Sequence, residues 1–155
     1  MKIWEVSVDV KKFASAYLTD NEGNILSFYT DWPDFRGQLF GANWLRPTGK
    51  LQEGKIVGNF VDIDPGILVC DSYTWICLEN YIQNEIEVLG IDVEGIDLKI
   101  LNITNIVDCL DEEKSEALYL RDNQRIMHIK KFSFNKELLN ETMLFKIPQL
   151  SRSPV

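Results

Sequence analysis

The chain opens on a strict alternation. Trp4, Val6, Val8 and Val10 are separated by Glu5, Ser7 and Asp9, a period of two that predicts a half-buried strand over residues 2–10 with Trp4 and the valines inward. Asp20-Asn21-Glu22-Gly23-Asn24 reads as a turn, and residues 25–30 as the next strand. Over residues 31–55 the periodicity gives way to punctuation by Pro33, Gly37, Gly41, Pro47, Gly49 and Gly54. The same stretch holds Trp32, Phe35, Phe40 and Trp44, which predicts an irregular segment packed down on the core. Residues 56–61 are a strand candidate, Asp64-Pro65-Gly66 a turn, and residues 67–70 a short, wholly apolar strand.

Asp71 and Ser72 carry side-chain oxygens suited to capping a helix, and a helix is predicted over 72–83. Trp75, Leu78 and Ile82 share one of its faces, with Tyr81 beside them. Residues 85–89 read as a strand with Ile86 and Val88 on one side and Glu85 and Glu87 facing outward. Residues 96–107 read as a strand whose apolar phase changes between Ile100 and Leu101, which predicts a bulge or bend. Residues 111–115 read as a polar turn or a single helical turn. Residues 117–121 and 125–134 read as a hairpin around Asp122-Asn123, with Phe132 and Phe134 pointing one way, and residues 143–147 as a last strand. Many strands and one helix give an α+β class: a mostly antiparallel sheet with a helix at about 72–83, in a single domain over 1–155.

Charge changes this picture more than composition does. The net charge is -8, but residues 1–52 balance to zero, residues 53–116 carry -12 and residues 117–155 carry +4. The acidic middle predicts attraction of cationic partners and repulsion of nucleic-acid phosphates. Basic and aromatic residues interleave after residue 117, but the acidic whole argues against nucleic-acid binding. No apolar run approaches the length of a membrane span, and no secretory leader is visible. Cys70, Cys77 and Cys109 show no close pairing and sit among apolar neighbours, as reduced core thiols of a cytoplasmic protein would.

Catalytic chemistry finds little support. His128 is the sole histidine and sits in an alternating strand, where a structural or surface role is expected. No G-x-S-x-G elbow, dinucleotide fingerprint or phosphate loop is present. Asp62, Asp64 and Gly66 resemble a calcium loop, but the glycine comes one place early and Tyr73 stands where a closing glutamate belongs. No catalytic residue, metal site or cofactor is therefore expected. The carboxylates of Glu85, Glu87, Asp92, Glu94 and Asp97 read as a solvated face and a docking surface.

From about Gly58 onward the segments run in a suggestive order. Gly58-Asn59-Phe60 leads to Ile67-Leu68-Val69-Cys70-Asp71 and the helix, then to Ile86-Glu87-Val88-Leu89. The stretch from Leu101 to Asp111 (LNITNIVDCLD) follows, then Glu112-Glu113-Lys114-Ser115-Glu116, and finally Leu144-Phe145-Lys146-Ile147-Pro148. In this order, residues 58–150 resemble immunity protein family eleven of bacterial polymorphic toxin systems, formerly a domain of unknown function. Residues 1–57 are only loosely similar, and 151–155 form an irregular tail where the family continues with a strand-helix-strand unit. The resemblance implies a cytoplasmic immunity protein that binds and neutralises a cognate toxin domain by direct contact, without chemistry of its own. The alternative is a binding or scaffold module of the same fold with another protein partner. The acidic contact candidates are Asp92, Glu94, Asp97, Asp108, Asp111, Glu112 and Glu113, of which Asp108 and Asp111 could instead cap their turn. The missing unit would expose a C-terminal sheet edge, a route to homo-oligomers.

Overall fold

A computed structural model of the chain describes residues 2–20, 22–26, 35–63, 67–119 and 126–150. Its elements are β1 (Ala16–Thr19), β2 (Thr48–Leu51), β3 (Phe60–Val61), β4 (Leu68–Asp71), α1 (Ser72–Ile82), β5 (Ile86–Val93), β6 (Ile96–Ile103), β7 (Glu116–Tyr119) and β8 (Ile126–Lys131). Six strands form one sheet in the order β1-β2-β5-β6-β4-β3, and β7 and β8 pair separately. Every strand pair is antiparallel except β2 with β5. The α+β class is as the sequence predicts.

The large sheet curls until its two ends meet. Ser15 bridges Asp62 and Phe13 bridges Ile56, with Ala16 N donating to Asp62 O at 2.7 Å and Ala14 N to Ile56 O at 2.9 Å. The inward positions, among them Leu18, Val61, Val69, Ile91, Leu98 and Ile100, fill the interior. Phe35, Phe40 and Trp44 plug it, with ring centroids 5.1–6.1 Å apart. The expectation of a packed-down aromatic loop is met at Phe35, Phe40 and Trp44, residues 31–34 with Trp32 lying outside the described residues, and Thr48–Leu51 within it is a strand.

Outside the curl, α1 packs on Leu68, Cys70, Leu101 and Ile103 through Trp75, Leu78 and Ile82. Its start is set by Asp71, whose carboxylate accepts from Thr74 N at 2.6 Å. This layer explains the apparent phase change in β6. Its alternate residues fill the interior, the others meet the helix, and no bulge interrupts its register from Ile96 to Ile103. A strand covered on both faces reads as continuously apolar. β5 is likewise longer than expected. Leu89, Ile91 and Val93 point inward, while Ile86 faces the helix layer and Val88 is exposed.

A third cluster, of Cys109, Ile129, Leu139, Phe145 and Ile147, lies under β7 and β8. Phe132 and Phe134 stack at 5.5 Å, on one side as predicted.

Two strand expectations fail. Residues 2–9 have no regular structure, and Trp4 is 71% exposed. Alternation alone cannot hold a strand without a ladder partner, and the bridges of residues 13–15 occupy the edges it would need. Residues 144–147 are buried without alternation and contribute one bridge, Lys146 to Ile106, in place of a strand. The end strands of the large sheet are β1 and β3, so described residues near the C-terminus supply no edge to it. The expected strand over 25–30 is seen only as a bridge of Ile25 to Thr19, because residues 27–30 lie outside the described residues. So do Asp64-Pro65-Gly66, the Asp122-Asn123 turn and residues 151–155.

Candidate partner-binding face

The β5–β6 hairpin presents the first group of acidic candidates. Val93 pairs with Ile96, leaving Glu94-Gly95 as a two-residue tip, and both have positive φ, 53° and 82°. That is the signature of a type I′ turn, whose twist matches the flanking strands. Asp92 fixes the tip by accepting from Gly95 N at 2.8 Å. Asp92 N and Glu94 N donate to Pro47 O and Gly49 O, each at 3.1 Å, and so tie the tip to β2.

Beside it lies a groove of about 410 Å³ lined by Thr19, Asp20, Thr48, Lys50, Asp92 and Glu94. Asp20 was not among the expected candidates. It belongs to a turn whose Asn24 side chain and amide hold its carboxyl below the usual value. Three carboxylates against one ammonium leave this groove negative.

Asp97 is differently placed. Lys99 and Arg46 both donate to it and hold its carboxyl below the ordinary range. It is already paired, so its charge is partly spent inside the chain.

The second group sits at the far end of β6. The seven steps along the eight residues of β6, at about 3.3 Å each, put roughly 23 Å of strand between the groups. Asp108 and Glu112 share Gln149, whose Nε2 donates to both, at 3.1 and 3.0 Å. Asp111 caps its turn, accepting from Lys114 N at 3.2 Å and Lys114 Nζ at 2.6 Å. That ammonium holds its carboxyl low. Glu113 is exposed. The seven candidates therefore form two groups, and the acidic segment is not one face.

Glu85 and Glu87 are not a solvated face. Glu85 accepts from Met143 N and Leu144 N, at 2.8 and 2.7 Å, and anchors the C-terminal segment. Glu87 accepts from Phe40 N at 3.0 Å, Gly41 N at 2.7 Å and Asn102 Nδ2 at 2.9 Å. Burial works to raise its carboxyl, but these donors outweigh it and hold it below the ordinary value. Both carboxylates staple loops to the curled sheet.

The feature missing from the sequence reading is the outer stripe of α1. Tyr73, Ile76 and Tyr81 are 72%, 63% and 67% exposed, with Cys77 and Asn80 exposed between them. Tyr81, expected beside the buried face, is on this one. Cys77, expected among core thiols, is exposed too, whereas Cys70 and Cys109 are buried. The available signal was a helix apolar nearly all round, which one-sided packing cannot bury.

The start of α1 lies beside the base of the acidic hairpin. Asp71, just before the helix, pairs with Leu98 of β6, and Ser72 Oγ lies 3.5 Å from Asp97 O. Large apolar side chains next to carboxylates make a surface suited to a partner with an apolar centre and basic surroundings.

His128 is exposed on β8 opposite Leu118. Among the described residues no group of three or more His, Cys, Asp or Glu is placed to hold a metal ion, and no helix is long and apolar enough to cross a membrane. No family model matches the chain, and no curated protein matches it.

Proposed function

We propose that this chain is a non-catalytic binding protein, acting in the cytoplasm as an immunity protein that captures a basic toxin domain and blocks it by direct contact. The observation that carries the reading is the exposed Tyr73-Ile76-Tyr81 stripe on α1, a helix whose start lies beside Asp97 at the base of the acidic β5–β6 hairpin tip. Tyrosine gives large contact area at low entropy cost and is enriched where a few residues dominate binding. The acidic tip would speed encounter with a cationic surface and select against acidic ones. The toxin as partner rests on the ordered resemblance over residues 58–150 alone. The binding role rests on the surface.

The test is co-expression with the toxin domain encoded beside it, followed by affinity and association-rate measurements on the purified pair. Tyr73→Ala with Tyr81→Ala should weaken the complex at least tenfold through faster dissociation. Glu94→Lys should slow association several-fold and flatten its salt dependence. A neighbouring toxin that stays active and unbound removes the immunity reading. A complex indifferent to these substitutions removes the face.

A further inference from the structure

A second concavity of about 400 Å³ lies between the irregular N-terminal segment and the chain entering β3 and β4. Val6, Val8, Phe13, Phe60 and Leu68 give it an apolar lining, while Ser7, Asp9 and Asn59 add polar groups. Small-molecule sites have this form, about 300–1,000 Å³ of mostly apolar wall with a few polar groups. The wall is built to shape. Phe13 stands against Gly58, where a Cβ would come within 2.8 Å of the Phe13 ring, so any side chain at 58 would push that ring aside.

Among the described residues that line it, the charge is one-signed, and Asp9 is the ionisable one. The nearby lysines are engaged elsewhere: Lys12 Nζ lies 5.0 Å from the Phe13 ring centroid in a cation–π contact, and Lys55 Nζ donates to Val10 O at 2.7 Å.

We propose that this cavity binds a small aromatic amine, its ring between Phe13, Phe60 and Leu68 and its ammonium on the Asp9 side. The complementarity is an apolar body for the aromatic walls and a positive end for the Asp9 carboxylate. An anion of the same shape is disfavoured. The proposal does not depend on the partner-binding reading.

The probes are 2-(1-naphthyl)ethylamine and 1-naphthylacetate, which have similar rings and opposite charges, titrated by calorimetry and by amide chemical shifts. The amine should bind one to one with Kd on the order of 0.1–1 mM, typical of a ligand this small, and at least tenfold tighter than the acid. Asp9→Asn retains an acceptor for Lys11 N, which Asp9 Oδ1 serves at 3.1 Å, and should abolish the preference for the amine. Val8→Trp or Ser7→Trp should fill the space and remove binding of both, while Met127→Ser on β8 should change nothing. Equal binding of amine and acid overturns the proposal, as does an unchanged preference in Asp9→Asn. So does retained binding in a filled variant whose circular dichroism matches the parent.

Discussion

Glu94 sits where an acidic residue is conformationally expensive. Its φ of 53° places an L-residue in the left-handed region, at a cost of roughly 1–2 kcal/mol relative to ordinary backbone. Asparagine tolerates that region far better and is favoured at this position of a type I′ turn. Glu94→Asn should therefore stabilise the fold by about 0.5–1 kcal/mol. For a chain of this length that is a rise in melting temperature of about 1–4 °C. Glu94→Gln is the control: it removes the charge and keeps the strain, so its stability should stay within about 0.5 kcal/mol of the parent. Both variants lose the carboxylate that overlooks the acidic groove, so both should associate more slowly with a basic partner. Thermal and urea unfolding of the three proteins read the stability, and stopped-flow association reads the charge. An asparagine variant no more stable than the glutamine variant would refute the strain argument. If strain and binding both follow as stated, the tip retains glutamate against its own stability, the pattern expected where backbone strain serves a function.

Glu87→Gln should loosen the Phe40–Gly41 anchor and shallow the acid limb of the stability curve. The Glu87 carboxyl is held below its unfolded value of about 4.3, so its contribution is complete well above that value and is lost progressively as pH falls through and below it; an identical acid limb in the variant would count against the staple. Lys146 is 1% exposed and donates to Phe35 O at 2.7 Å, so Lys146→Met should cost about 2 kcal/mol or more in urea unfolding by orphaning buried polar groups. Cys77 should react with a thiol reagent in the native protein. Cys70 and Cys109 should react only on unfolding, because burial pushes the Cys70 thiol up to about 11 and raises Cys109 as well; rapid labelling of three thiols in the folded state would overturn the assigned burial.

What could be read from the sequence was local. The cap at Asp71, the helix after it, the hairpin of β7 and β8 and the turn held by Asp111 each follow from residues within a few places of one another. What could not be read was decided by partners far along the chain. Residues 2–10 alternate well but find no ladder, since Phe13 and Ser15 take the bridges to Ile56 and Asp62. β6 looked bent because two different layers cover its two faces. Lys146 counts in the sequence only as one of the bases interleaved with aromatics after residue 117, whereas in the fold it is buried and donates to Phe35 O, 111 residues away.

The same distinction governs the candidate site. A charge count along the chain adds residues that the fold then sends to different duties. In the acidic middle segment, Glu85 and Glu87 are consumed by backbone amides, Asp97 by two cations and Asp111 by its own turn. Asp92 spends one oxygen on Gly95, and Asp108 and Glu112 divide the amide of Gln149. A carboxylate already satisfied by its own chain has less to offer a partner, because binding must first compete with a bond that costs nothing to keep. On this reasoning the acidic contribution at the tip falls chiefly to Glu94, aided by Asp92, because both oxygens of Asp20 already serve its own turn. The apolar contribution falls to a helix face that no charge count could reveal. A partner surface matching both needs one strongly basic spot close to an apolar patch, not a broadly cationic face, and that is a narrower requirement than a net charge of -12 implies.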